Sequence, residues 1–153
     1  MEIKYLADEK EYIPQVIDWL YGQWGHNYEY GKKVWTERVN NRLNKKEVPT
    51  TFVALKDDEI LGTASLIKYD MDTRKDLTPC LADVYVDPDW RGQQIASKLV
   101  KRVLKEAEDI GHSKLYLYTR EAEGLYEKLG WKVIERIDYY GDNVPIMLYE
   151  FDN

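Results

Sequence analysis

The chain has 153 residues, 44% of them hydrophobic and 33% charged, and a formal net charge of -6. That length and balance suit one soluble globular domain around a single core and exclude a disordered or fibrous chain. The negative balance argues against nonspecific nucleic-acid binding, which needs cations clustered against phosphate, and suits a cationic or amine-bearing partner.

In chain order, the opening MEIKYLADEKEY is charged from its second residue and carries no apolar core of the export type. Residues 3–6 read as a short strand. Ile13, Val16, Ile17, Leu20 and Trp24 recur at helical spacing and predict a helix over 11–24. A less regular helix over 32–43 stops before Val48-Pro49. The period then changes. Residues 51–55 and 60–67 form a hairpin around the turn KDDE, and 70–76 are polar loop. Residues 81–86 are the next strand. Ile95, Leu99, Val103 and Ala107 make an amphipathic stripe, so a helix spans 93–110 and ends at Gly111. A strand over 114–119, a short helix over 123–129 and strands over 131–138 and 144–149 complete the chain.

The order is β α α β β β α β α β β. The class is α+β: a central mixed, mostly antiparallel sheet of six or seven strands, with about four helices on both faces, in one domain over 1–153. Cys80 is the sole cysteine, so no intrachain disulfide can form, which fits a reducing cytoplasm. No apolar run approaches the roughly 20 residues of a membrane span. Cytoplasmic location without a membrane partner is the expectation. No metal-ligand spacing is visible.

The stretch VYVDPDWRGQQIASKLV, residues 84–100, carries the chemistry. A helix start leaves N–H groups without partners, and Arg91 and Gly92 stand where a capping Ser, Thr, Asp or Asn would be expected. Free N–H donors at the positive end of a helix dipole make an anion site. Gly92 permits close backbone approach, Arg91 adds a charge suited to phosphate, and Ala96 keeps the helix near its strand. The bland alternative is that Asp89 caps the helix and Arg91 is a solvated surface charge.

RGQQIA resembles the Arg/Gln-x-x-Gly-x-Gly/Ala signature of the GCN5-related N-acetyltransferases, which binds the pyrophosphate of acetyl-coenzyme A. VYVDPDW resembles that family's preceding strand, and GLYEKLGW, residues 124–131, its second motif. The element order matches across nearly the whole chain. The resemblance implies the family's fold and an acetyl-coenzyme A cosubstrate held by Arg91, Gly92, Gln93, Gln94, Ile95, Ala96 and Ser97. It also implies a pantetheine arm paired with the backbone of Val84, Tyr85 and Val86. Gln94 departs from the family's usual glycine. At a first-turn position the backbone is expected to be helical, so the glycine would matter for space and not for conformation. The Gln94 side chain then either donates its amide to a phosphate oxygen or weakens binding by its bulk, and retained cofactor binding is the expectation.

The implied reaction is direct attack of an amine on the thioester. Tyr126 matches the family tyrosine placed to donate to the leaving sulfur. With reference acidities, full proton transfer from a phenol to a thiolate is uphill by roughly 2 kcal/mol, so Tyr126 is expected to act as a positioned donor. Its other reading is a core tyrosine packed like Leu125. An alkylammonium must also lose a proton, and Asp83 in LADVYV is the candidate base; its alternative is an ion-paired strand residue. Cys80 is read as a buried thiol. Trp24, Tyr28 and Tyr139 are candidate acceptor contacts, because rings with carboxylates hold an ammonium. The expected partner is a small-molecule or peptide amine, and a homodimer is compatible with the family. A coenzyme A-binding module with little turnover is the alternative.

Overall fold

The computed structural model describes residues 1–25 and 31–152. Its elements are β1 Glu2–Tyr5, α1 Ile13–Trp24, α2 Lys32–Asn40, β2 Thr50–Lys56, β3 Glu59–Ile67, β4 Cys80–Val86, α3 Ile95–Ile110, β5 Lys114–Tyr118, α4 Glu123–Lys128, β6 Lys132–Tyr139 and β7 Asp142–Glu150. The strands form one sheet of seven in the order β1-β2-β3-β4-β5-β7-β6. All neighbours are antiparallel except β4 and β5, which α3 connects as a crossover.

The two faces are built by alternation. In β2, Phe52 and Ala54 join a core with α3, whereas Val53 and Leu55 join a second core under α1 and α2. The α3 stripe supplies Ile95, Leu99, Val103 and Ala107 to the first core, and Val16, Ile17, Leu20, Trp35 and Val39 supply the second. Burial on both faces of β2 and β3 encloses Thr50, Thr51, Thr63 and Ser65 along with the apolar residues. Buried Glu106 on α3 ties the first core to β1: it accepts from the Tyr5 hydroxyl at 2.9 Å, from Arg102 at 3.1 Å and from the Lys46 N–H at 2.9 Å.

Among the predicted boundaries that move, two bear on the site. The helix expected over 32–43 ends at Asn40, because the chain tightens there and the Arg42 N–H turns back to the Val39 carbonyl at 3.1 Å. Leu43 leaves the helix to bridge Thr50. The helix expected from residue 93 begins at Ile95, because Gln94 adopts a left-handed backbone.

Candidate active site

The site begins where two parallel strands part. β4 and β5 share the single register pair Cys80↔Tyr116, with the Tyr116 N–H donating to the Pro79 carbonyl at 3.0 Å. Beyond that pair they diverge, and a cleft of about 1420 Å³ opens between them. The other edge of β4 is paired with β3, so the edge facing the cleft offers backbone donors and acceptors to an extended ligand.

A bulge sits just above the fork. Ser65 pairs with Ala82 and Thr63 with Tyr85, so Ala64 stands opposite both Asp83 and Val84. Asp83 is the extra residue, with φ of 56°. The shift puts Leu81, Val84 and Val86 in the α3 core while Tyr85 reaches the α1–α2 side, where its ring lies 5.2 Å from Trp19. Gly62 permits the close strand approach here: a Cβ on it would stand 2.8 Å from the Tyr85 carbonyl oxygen.

After β4 the chain makes a 3-10 turn, Pro88–Trp90, which Asp87 caps by accepting the Asp89 N–H at 2.9 Å. Asp89 therefore does not cap α3, and among the described residues no other side chain does. The Arg91 Nε donates to the Val86 carbonyl at 3.0 Å, and its guanidinium lies 5.5 Å from the Tyr85 ring centre. Gly92 takes φ of +81°. The first helical bond is from the Lys98 N–H to the Gln94 carbonyl at 3.1 Å, so the amides of Ile95, Ala96 and Ser97 have no intrahelical acceptor. A fixed guanidinium and an uncapped helix tip together suit a diphosphate.

Gln94 corrects an expectation. Its φ is 64° and ψ 21°, so it is the residue before the helix and lies in the left-handed region. A glycine here would be favoured by conformation as well as by space, since a side chain in that region costs roughly 1–2 kcal/mol. Val84, Tyr85, Val86, Arg91, Gly92, Gln94, Ile95, Ala96 and Ser97 all line the cleft. Gln93 is exposed and lies outside the lining.

Across the cleft, α4 presents Tyr126, which is buried yet lines the opening. Its ring meets Trp131 edge-on at 6.1 Å. Burial alone pushes its phenol up to about 12, so it stays protonated and able to donate at neutral pH.

Charged side chains also line the cleft. Arg42 donates to the Asp83 carboxylate, with side chains 10% and 12% exposed. Half-buried Asp70, on the loop after β3, lines the same cleft. Burial of its carboxyl and then the Asp83 charge push it up to about 7, against the opposing pull of Arg42, Arg38 and Arg120. Its loop is braced at both ends: Met71 and Leu77 are buried, while Arg74 pairs with Asp76 at 3.1 Å and with Glu135 of β6. Arg120 pairs with Asp142 at 2.9 Å and lies 5.8 Å from the rings of both Tyr118 and Tyr139.

Trp24 and Tyr139 line the cleft, and Tyr28 lies outside the described residues. Sequence reasoning missed Asp70 and Arg42. The one signal for Asp70 was a polar loop flanked by the apolar Met71 and Leu77. Cys80 is buried, its thiol donates to the Leu77 carbonyl at 2.9 Å, and burial pushes it up to about 12, which suits packing and not nucleophilic attack. Among the described residues no group of three or more His, Cys, Asp and Glu side chains could hold a metal ion. Among them no helix is long and apolar enough to cross a membrane.

The model of the Acetyltransferase (GNAT) family matches residues 13–131. N-acetyltransferase 8B of Homo sapiens is 33% identical over 116 residues, 66% of this chain and 51% of that protein. A thialysine N-epsilon-acetyltransferase of Bos taurus is 44% identical over 54 residues, 33% of this chain and 32% of its own length. The chain thus spans about half, or less, of the curated relatives it matches. The crystal structure of an aminoglycoside 6'-N-acetyltransferase complexed with coenzyme A superposes with a TM-score of 0.80 at 22% identity, covering 98% of this chain and 97% of that one. That likeness establishes the fold, a seven-stranded mixed sheet with α3 as the crossover at its fork. With the family model covering most of its length, the chain belongs to the GNAT family of acetyltransferases.

Proposed function

We propose that this chain transfers the acetyl group of acetyl-coenzyme A to a primary amine of a small molecule or a peptide amino terminus. The observation that carries the reading is the β4–β5 fork, which has an uncapped helix tip at one end and Tyr126 lining the same cleft. In this reading the amides of Ile95 to Ser97, with Arg91 and Gly92, hold the pyrophosphate. The open edge of Val84 to Val86 pairs with the amides of the pantetheine arm. An arm lying along β4 brings its thioester to the fork, beside Tyr126.

The amine nitrogen attacks the thioester carbonyl, and the carbon–sulfur bond breaks as the amide forms. Tyr126 donates a hydrogen bond to the departing sulfur. A phenol at about 12 is a much weaker acid than a thiol, so outright transfer is several kcal/mol uphill, and the sulfur takes its proton finally from the amide nitrogen or solvent. Trp24 and Tyr139 wall the acceptor space. The names of the two relatives, an N-acetyltransferase and a thialysine N-epsilon-acetyltransferase, support nitrogen as the acceptor atom.

Thiol release from acetyl-coenzyme A with a panel of primary amines tests the reading, alongside calorimetric binding of the cosubstrate. Amine-dependent thiol release and an acetylated product are expected. Binding without release across the panel would make the chain a coenzyme A-binding module, and absence of binding would remove both.

A further inference from the structure

The reaction needs a group to take the first proton of an alkylammonium, and Asp83 is poorly free to do so because Arg42 holds it. We propose that Asp70 takes the proton from the acceptor ammonium, with the Asp83–Arg42 ion pair as the positioning charge beside it. This rests on the acetyl-transfer reading above.

Three observations carry it. First, position: Asp70 lines the cleft beside Asp83, and Asp83 stands three residues beyond the pair at which β4 and β5 part. Second, the loop is held: Met71 and Leu77 are sunk in the fold and Arg74 clamps the loop to β6, so Asp70 is presented on a fixed support. Third, the strand is bent for the neighbour: the bulge gives Asp83 a left-handed backbone, and its carboxylate meets Arg42 inside the cleft.

The groups that face Asp70 are Asp83 and Cys80 from β4, Arg38 from α2, Arg42 from the segment after it, and Arg120 from the segment after β5. The nearby carboxylate and burial raise Asp70 and the three guanidinium groups oppose them, leaving a base far better matched to an ammonium than an ordinary carboxylate. The protons balance. The ammonium gives one to the Asp70 carboxylate, and the resulting amine attacks the thioester carbonyl. The carbon–sulfur bond breaks, and the second proton leaves the nitrogen for the sulfur or for solvent. Asp70 returns its proton to water before the next turnover.

Thiol release by the wild type and by Asp70→Asn, measured against pH with an amine that the wild type accepts, tests the assignment. Asp70→Asn should lower kcat about 100-fold or more, leave KM for the amine and acetyl-coenzyme A affinity within about twofold, and erase the acidic limb of kcat/KM. Asp70→Glu should restore part of kcat. Wild-type kcat in Asp70→Asn with the limb unchanged overturns the assignment, as does a loss confined to KM. If Asp70→Asn no longer binds acetyl-coenzyme A, Asp83→Asn decides: an acidic limb moved to lower pH supports the assignment, and an unmoved limb overturns it. A wild type that releases no thiol with any amine overturns acetyl transfer and this step together. A wild type that turns over beside an unaffected Asp70→Asn overturns this step alone.

Discussion

Arg42 and Asp83 are 41 residues apart in sequence, yet they form an ion pair in which each side chain is about nine-tenths enclosed. Neither member is readily removed alone. Arg42→Ala would leave a largely enclosed carboxylate without its counter-charge and should cost about 3 kcal/mol. The double variant Arg42→Ala/Asp83→Asn should recover much of that loss. Urea midpoints of the two variants measure both quantities.

Gln94 carries backbone strain that a glycine would relieve. Relief of roughly 1–2 kcal/mol is partly offset by the greater freedom of glycine in the unfolded chain. Gln94→Gly should therefore stabilise the chain by about 0.5–1 kcal/mol, read as a rise in melting temperature. Acetyl-coenzyme A affinity should change less than tenfold, because Arg91 and the open amides of α3 remain. A larger gain in calorimetry would show that the Gln94 side chain obstructs the ligand.

Tyr126→Phe removes one hydroxyl from a ring that is otherwise packed against Trp131. The ring contact survives the change, so folding and cosubstrate binding should hold. The loss should fall on kcat, by about 10- to 100-fold, with KM little altered. Steady-state thiol release separates the two parameters, and unaltered turnover would return Tyr126 to the core.

The raised Asp70 carboxyl also makes stability depend on pH. Between its unfolded value near 4 and its folded value of about 7, the folded chain holds more of this proton than the unfolded chain. This contribution is therefore fully present below the unfolded value and is lost as pH rises through about 7. Asp70→Asn, which cannot ionise, should gain stability relative to the wild type at pH 8 and lose that advantage at pH 4. Melting temperatures of both proteins at the two values test the sign.

The order of strands and helices was legible because its signals are local. The α3 stripe repeats at helical spacing, Gly111 stops it, and the motif around Arg91 sits at its start. What escaped was set at a distance. Nothing in Gln-Gln-Ile marks Gln94 as left-handed; that conformation follows from a chain that must leave the Arg91 anchor on Val86 and still enter α3. Asp70 read as one acid in a polar loop, because the packing of Met71 and Leu77 and the clamp from Arg74 to Glu135 depend on strands not adjacent in sequence. The ion-paired alternative for Asp83 named no partner, because Arg42 lies beyond the end of α2, in a stretch read as helix.

The inserted residue in β4 separates two obligations that one strand must otherwise meet together. Leu81, Val84 and Val86 answer to α3, while Asp83 answers to Arg42 and Tyr85 to Trp19. Asp83 thus faces away from the residues packed under α3, whereas Tyr85 also backs the Arg91 guanidinium. Under the proposed acetyl transfer, the charged wall at Asp83 and Arg42 can drift toward new acceptors over evolutionary time while the packing of β4 on α3 is inherited intact.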